Sequence, residues 1–368
     1  MGGNARPLEG LTVVAVEQAV AAPYCSARLA DAGARVIKIE RPGGDFARGY
    51  DAVAAGQSSY FVWLNRGKES VALDIATPSG KARLAELIAG ADVLLSNLKP
   101  GALERLGFGA EALAAAHPRL VQCAISGYGE SGPMADRKAY DLLIQAESGL
   151  CSITGGPSEP SRVGVSVVDI ATGAAAHAAI LEALIARGIT GKGARITLSM
   201  FDVIAEWLTV PLLNHEGGKT PKRVGLAHPS IAPYGVFETA DGAPILISIQ
   251  SDREWRALAE GFLGDAAMGT DPRFATNVAR VAHRPETDAA VAAAFAARSV
   301  EEAEAALLAA GIALARVNDM EGLSRHPHLR RITVETPNGP VSFPAPPAQV
   351  EGAPRSYGPV PDVPTPED

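Results

Sequence analysis

Apolar residues in this chain arrive in short clusters whose spacing alternates between that of strands and that of helices. Residues 11–16 form an apolar run rich in valine, as a strand buried on both faces would. Pro23 then stands where a first helical turn tolerates proline, residues 24–32 have helical composition, and Gly33 is placed to end that helix. Residues 35–40 (RVIKIE) alternate as a second strand. A parallel pair of strands joined by a helix begins an α/β sheet. Further strands are predicted at 92–97, 120–126 and 195–200, with alanine-rich helices between them, and there is no strong internal repeat.

The pattern changes after about residue 205. Residues 214–223 (NHEGGKTPKR) are polar, with two glycines and a proline, and read as a linker. A β-hairpin follows, with strands at 235–239 and 244–249 around the Asp241-Gly242 turn. Helical patterns come near 252–262 and 300–310, and the last forty residues are proline-rich with short β-like stretches. The expected architecture is therefore α/β. It comprises a Rossmann-like large domain (1–205), a linker (206–224), a smaller α+β domain (225–320) and a C-terminal arm (321–368) returning to the large domain.

Composition narrows the function classes. The 368 residues are 47% hydrophobic and 20% charged, with a net charge of −8, which argues against a nucleic-acid partner but leaves room for a local basic pocket. Cys25, Cys123 and Cys151 form no C-x-x-C pair and read as buried free thiols of a reducing compartment. No apolar signal core is seen at the N-terminus, and no apolar run approaches bilayer-spanning length. The expectation is a cytoplasmic protein with no membrane partner. The seven histidines show no metal-ligand spacing, so no metal site is expected.

Several clusters have the residue types of a binding site. Glu40 closes the second strand where a dinucleotide-binding fold places its ribose-binding acid, yet the first turn reads Val20-Ala21-Ala22-Pro23 and lacks G-x-G-x-x-G. A nicotinamide dehydrogenase is disfavoured on that ground. Arg41-Pro42-Gly43-Gly44-Asp45, with Arg48 behind it, is either a phosphate-binding loop or a solvated turn with surface charges. The stretch from Asn97 through Pro100-Gly101 to Arg105 reads as a strand end, a turn and a short helix. Residues 162–168 are β-like and 170–185 helical, which puts Asp169 at or just before a helix N-terminus. There it either caps the helix or serves as an ionised nucleophile, with the small Ala171, Gly173 and Ala174 letting a ligand approach.

In combination these pieces resemble the family III coenzyme A transferases. The resemblance starts at PLEGLTVVAVEQ and LADAGARVIKIERPGGD and continues through Asn97–Gly107 and Gly127-Tyr128-Gly129. It then passes Tyr140-Asp141 and Val168-Asp169-Ile170-Ala171-Thr172-Gly173 to reach Pro233-Tyr234-Gly235 and Asp271-Pro272-Arg273-Phe274. It spans nearly the whole chain. The family match implies that Asp169 is the nucleophile, acting through an aspartyl anhydride and an aspartyl-CoA thioester. It implies CoA contacts at Arg41, Asn97, Leu98, Arg105 and Lys138, with coenzyme A or acyl-CoA as substrate and no permanently bound cofactor. It also implies an interlaced homodimer.

Two departures set this chain apart from the formyl-CoA transferase branch. It has Val20 where that branch has glutamine, and it lacks that branch's glycine run, and both weaken an assignment to oxalate or formate. The α-methylacyl-CoA racemase branch carries a histidine where this chain has Tyr140 and a glutamate where it has Gln250, so a two-base exchange lacks its participants. The small domain is similar to the subgroup acting on C4–C5 dicarboxylic acids: mesaconate, itaconate, citramalate and succinate. Val20, Arg48, Tyr140, His228 and Ser230 are the candidate substrate contacts, with His228, Ser230 or Arg253 for a second carboxylate. The alternatives are a racemase and a catalytically silent CoA-binding protein.

Overall fold

The computed structural model describes residues 6–351 and 355–366. It divides into two compact units. The first comprises residues 1–151, 162–213 and 330–368, and the second residues 152–161 and 214–329.

The first unit is built on strands β1 (Thr12–Val16), β2 (Arg35–Glu40), β3 (Lys68–Ala72), β4 (Val93–Ser96), β5 (Val121–Ser126) and β6 (Arg195–Ser199). They form one parallel sheet in the order β3-β2-β1-β4-β5-β6. The helices between them are α1 (Ala21–Asp31), α2 (Ser59–Asn65), α3 (Pro78–Ala89), α4 (Ala102–Arg105), α5 (Ala110–Ala116), α6 (Asp141–Glu147), α7 (Leu150–Ile153) and α8 (Val167–Thr190). Helices α9 (Met200–Trp207) and α10 (Thr209–Glu216) follow β6. Parallel strands require crossovers, and the crossovers cover both faces. Val13 and Ala15 accordingly face a core shared with α1 and α8, while Val14 and Val16 face one shared with α3 and α5. That double burial is why β1 is an unbroken apolar run.

The second unit has strands β7 (Tyr234–Glu238) and β8 (Pro244–Ser248), then helices α11 (Asp252–Gly261), α12 (Asn277–Ala282), α13 (Arg284–Ala296) and α14 (Val300–Ala309). A third antiparallel strand, β9 (Ala313–Arg316), pairs with β8, and the short helix α15 (Met320–Ser324) follows. Its core gathers Ile245, Ile247, Trp255, Phe262 and Phe295. The chain then returns to the first unit as the hairpin β10 (Arg331–Val334) and β11 (Val341–Pro344). Val334 and Val360 pack on Phe61 and Val62 of α2, and Pro366 bridges Ala72 at the end of β3.

Several details differ from the sequence-based expectation. Residues 206–224 were expected as a linker but hold helix α10, which leaves Val210, Leu212 and Leu213 exposed. Residues 152–161 leave the large unit and join the small one. Strand β3 (KESVA) escaped notice because its alternation is mostly polar. Residues 162–166 form no strand. Cys25 and Cys123 are buried but Cys151 is half-buried. Helix α8, at 24 residues with a mean hydropathy of 1.5, does reach bilayer-spanning length, contrary to the expectation that no segment approaches it. One of its faces, however, is the apolar core against α1, and Arg187 near its end is buried and paired with Asp92 at 3.0 Å.

Four charges lie inside the first unit. Glu17 is bonded to Lys68 at 2.7 Å and lies 3.6 Å from Lys38, which in turn pairs with Asp45 at 2.9 Å, and all four side chains are essentially inaccessible. Ser26 donates to Glu17 at 2.7 Å, and Lys68 also donates to Asn65 and to the Pro23 carbonyl. Burial pushes the Glu17 carboxyl up, but Lys68 and Lys38 more than offset this and hold it below its ordinary value. Burial brings Lys68 down to about 8. Removing one member leaves an uncompensated buried charge. Glu17→Ala is expected to cost about 3–5 kcal/mol in urea unfolding, whereas the paired replacement Glu17→Leu with Lys68→Met recovers a large part of that loss.

Candidate active site

In the observed strand order, β1 and β4 are neighbours whose connections run to opposite sides of the sheet. Their C-terminal ends therefore diverge and open a crevice. Asn97, just past β4, ties the two ends together: its carbonyl accepts from Gln18 N at 3.0 Å and its amide donates to Gln18 O at 2.8 Å. Ala19 beside it sits at φ 63, a left-handed conformation that an alanine adopts at a cost. Its N–H donates to Asp45, itself anchored by Lys38, so the buried charges hold this turn in place.

A cavity of about 610 Å³ fills the crevice. Its walls come from Gln18–Ala21 after β1, Asn97–Pro100 after β4, Ser126 and Gly127 after β5, and the segments around Lys138 and Asp169. Gly127 is required here, since a Cβ would lie 2.2 Å from that of Ala139, and this contact seats the 135–140 segment against the sheet.

Asp169 lines this cavity as the third residue of α8, not as its cap. Its carboxylate accepts no hydrogen bond from any described residue. The first turn of the helix is held instead by Asp141, whose Oδ1 accepts from Val168 N at 2.8 Å and Asp169 N at 3.2 Å. The other oxygen, Oδ2, accepts from Gln145 at 2.7 Å, and the Gln145 carbonyl accepts from Val163 N at 2.9 Å. Burial, and then the like charge of Asp141, raise the Asp169 pKa to about 7. Of the small residues after Asp169, Ala171 and Gly173 serve packing, Ala174 is exposed, and none of the three lines the cavity. A Cβ on Gly173 would lie 2.4 Å from Ala21 O, and Ala171 is buried, so α1 and α8 touch backbone to side chain at this level.

Aromatic side chains complete the wall. Phe46, Tyr50 and Tyr60 form a chain of ring contacts, and the Tyr60 hydroxyl meets Ser166 Oγ at 3.1 Å. Burial, with Asp45 and Asp169 nearby, pushes the Tyr50 phenol up to about 12, so it remains a neutral donor. Cations around the cavity are Lys99, paired with Asp136 at 3.0 Å, and Arg137, Lys138 and Arg162.

Of the residues singled out in the sequence, Val20, Asn97, Leu98, Lys138, Tyr140 and Asp169 come together around this cavity. Arg41 does not line it. It borders a smaller space of about 160 Å³ that shares Gln18 and Leu98, and it donates to the Gly44 carbonyl. Arg105 is exposed on α4 and lines neither space. Arg48 is committed elsewhere: it pairs with the buried Glu40 at 2.7 Å, lies 3.7 Å over the Phe61 ring and donates to the Asp362 carbonyl. His228 and Ser230 belong to the second unit, where His228 stacks on Tyr234 and its Nδ1 accepts from Ser230 N at 3.2 Å. Among the described residues no group of three or more His, Cys, Asp or Glu could hold a metal. Asp141, Tyr50, Tyr60, Ser166 and Arg162 were missed as site residues. Asp141 had a legible signal, an acid opening a helical stretch, but its N–H partners lie 27 and 28 residues further on.

The CoA-transferase family III model matches residues 8–365. The chain belongs to CoA-transferase family III. Among curated relatives of this transferase, the acetyl-CoA:oxalate CoA-transferase of Acetobacter aceti is 37% identical over 94% of this chain and 90% of its own length. The succinate–glutarate CoA-transferase of Agrobacterium fabrum is 40% identical over 76% of this chain and 72% of its own. Among solved structures, a CAIB/BAIF family protein from Brucella suis superposes with a TM-score of 0.83 at 34% identity, covering 98% of this chain and 97% of that one. Rv3272 from Mycobacterium tuberculosis gives 0.84 at 29% identity, covering 94% and 93%. The transferase is an enzyme acting on acyl-CoA and carboxylic acids, with CoA thioesters as co-substrates.

The Asp169 environment has two measurable consequences. In the nucleophilic role that the family resemblance implies, Asp169 works ionised, so kcat/KM for the acyl-CoA is expected to rise with pH through about 7. Asp141→Asn, which keeps an acceptor for the helix N–H groups but removes the charge, should move that limb to lower pH. The folded state also holds this proton more tightly than an unfolded aspartate near 3.8, so the ionised group opposes folding increasingly as pH rises from about 4 to about 7. Asp169→Asn is thus expected to raise Tm at pH 8 and leave it unchanged near pH 4, as followed by thermal scans.

Proposed function

We propose that this transferase moves CoA between short dicarboxylic acids through covalent intermediates on Asp169. The observation that carries the reading is a half-buried carboxylate with no hydrogen-bond donor among the described residues, at the head of a 24-residue helix, in the cavity at the sheet's switch point. An anion left undressed in this way keeps its lone pairs available, and the helix N-terminus stabilises charge that develops beside it.

The sequence of bonds is balanced without an external proton. Ionised Asp169 attacks the thioester carbonyl, giving a mixed aspartyl anhydride and CoA thiolate. The thiolate attacks the aspartyl carbonyl, releasing the donor carboxylate and leaving an aspartyl-CoA thioester. The acceptor carboxylate attacks that thioester to form a second anhydride and free the thiolate. Attack of the thiolate on the acceptor carbonyl then yields the new acyl-CoA and restores the Asp169 carboxylate. Neutral Tyr50 is a donor suited to the oxyanions that form on the way.

Within this reading Asn97, Leu98 and Lys138 contact CoA, joined by Arg41 and Arg105, with Leu98 against the adenine and the cations at the phosphates. The relatives that act on oxalate, or on succinate and glutarate, support short dicarboxylic acids as a class. Oxalate belongs in that set for testing, whatever Val20 suggested. The protein is proposed to work in the cytoplasm as an interlaced homodimer, without a permanently bound cofactor. His228 and Ser230 are proposed as substrate contacts, whereas Arg48, spent on Glu40, is no longer put forward.

Replacing the nucleophile tests the reading. Asp169→Ala is expected to lower kcat by about a thousandfold or more in a succinyl-CoA assay against a panel of short dicarboxylates. Wild-type enzyme incubated with acyl-CoA and then hydroxylamine should carry a hydroxamate at Asp169, read by peptide mass spectrometry. Retention of turnover in the alanine variant would sink the mechanism.

A further inference from the structure

We infer that Arg162 is the specificity residue of this site, binding the far carboxylate of the acyl group and so selecting dicarboxylic over monocarboxylic acids. The inference rests on the proposed transfer reaction and names a receptor for its second charge.

The cavity is lined by four cations, and three of them come from elements away from the nucleophile's own segment. Lys99 follows β4 and is already paired with Asp136. Arg137 and Lys138 stand on the segment seated against Gly127. Arg162 alone lies on the segment that runs directly into α8, seven residues before Asp169. That segment is tied to the nucleophile by a short chain of hydrogen bonds. Asp169 N donates to Asp141, Gln145 donates to the same carboxylate, and Val163 N donates to Gln145. Ser166, midway along it, contacts the Tyr60 hydroxyl. The backbone that carries Arg162 is thus pinned on both sides while its side chain is left over.

The guanidinium has no carboxylate partner among the described residues. Its one polar contact is to the Gly164 carbonyl of its own loop, at 3.5 Å. Arg48, Arg66 and Arg187, which are more buried, each hold an acid at 3.0 Å or less, whereas the exposed Arg162 holds none among the described residues. An unpaired planar cation facing the same cavity as a thioester-attacking carboxylate matches a bidentate carboxylate ligand. The same lining includes Tyr50, Tyr60 and Tyr140, whose rings offer apolar surface to a short carbon chain linking two carboxyl groups. A monocarboxylic acid would leave the guanidinium with no anion to hold.

The test compares acceptors of matched length, glutarate against valerate and succinate against butyrate, with one acyl-CoA donor. In a ping-pong scheme kcat/KM for the acceptor is independent of the donor half-reaction. Wild-type enzyme should prefer the dicarboxylate. Arg162→Gln is expected to lower kcat/KM for the dicarboxylate by about a hundredfold, mostly through KM, and to change the monocarboxylate value less than threefold or so. Arg162→Lys should recover part of the loss, and Arg162→Glu should abolish the preference. Lys138→Gln, by contrast, should weaken both acids equally through CoA. If Arg162→Gln keeps the wild-type ratio, or loses both acids alike, Arg162 is not the receptor although the transferase reading stands. If wild-type enzyme transfers CoA to neither dicarboxylate, both proposals fall.

Discussion

The four charges buried beneath the β1, β2 and β3 ends are the constraint on which the rest of the site depends. Glu17, Lys38, Lys68 and Asp45 cancel one another in a region closed to water, where any one of them unpaired would be intolerable. Their mutual geometry therefore admits little variation. Asp45 has one oxygen on Lys38 and the other on the N–H groups of Ala19 and Ala47, so the network ends in the backbone of the turn after β1. That turn, with Ala19 in the left-handed region, is one wall of the cavity. Asn97 then fixes the opposite wall to it. The crevice of a parallel sheet is general, but its shape here is set by ionic pairing behind it.

A second arrangement of acids operates with the opposite logic. Around Asp141 and Asp169 the charges do not cancel. Asp141 satisfies the N–H groups at the head of α8 and, in doing so, sets its own charge near the neighbouring carboxylate. Asp169 is left half-buried, without a donor, and with its proton affinity raised to about 7. Folding is weakened by this as pH rises, and in the proposed reaction the same features leave the carboxylate free to attack. In the proposed mechanism, acylation replaces its charge with a neutral anhydride or thioester and relieves the conflict. Stability at this position is traded against reactivity.

Much of the fold was legible in the sequence because the large sheet is buried on both faces. Its central strand β1 must be apolar throughout and stood out for that reason, while β2, β4 and β5 were legible from their apolar or alternating patterns. Strand β3 did not, since it sits at the sheet edge and contributes Lys68 to the charge network, and helix α10 did not, since most of its surface is exposed. The family motifs led to Asp169, Asn97, Leu98 and Lys138, which share one cavity, and to Arg41 and Arg105, which do not line it. The charged loop after β2 suggested Arg48 as well, whose role as partner of Glu40 could not be read from the sequence. Nothing local in a chain distinguishes an arginine that holds a buried acid from one that awaits a ligand.

The sequence by itself determined the alternation of strands and helices, the parallel sheet and the family, and it singled out Asp169 as the candidate nucleophile. Periodicity and motif spacing are properties of neighbouring residues. The tertiary structure decided which charges neutralise each other and which stay free. It brought Glu17, Lys38 and Lys68 together across three strands, set Asp141 on the N–H groups of residues 27 and 28 positions later, and left Arg162 unpaired beside the cavity. Electrostatic energies depend on distance through space and on access to water, and folding alone fixes both.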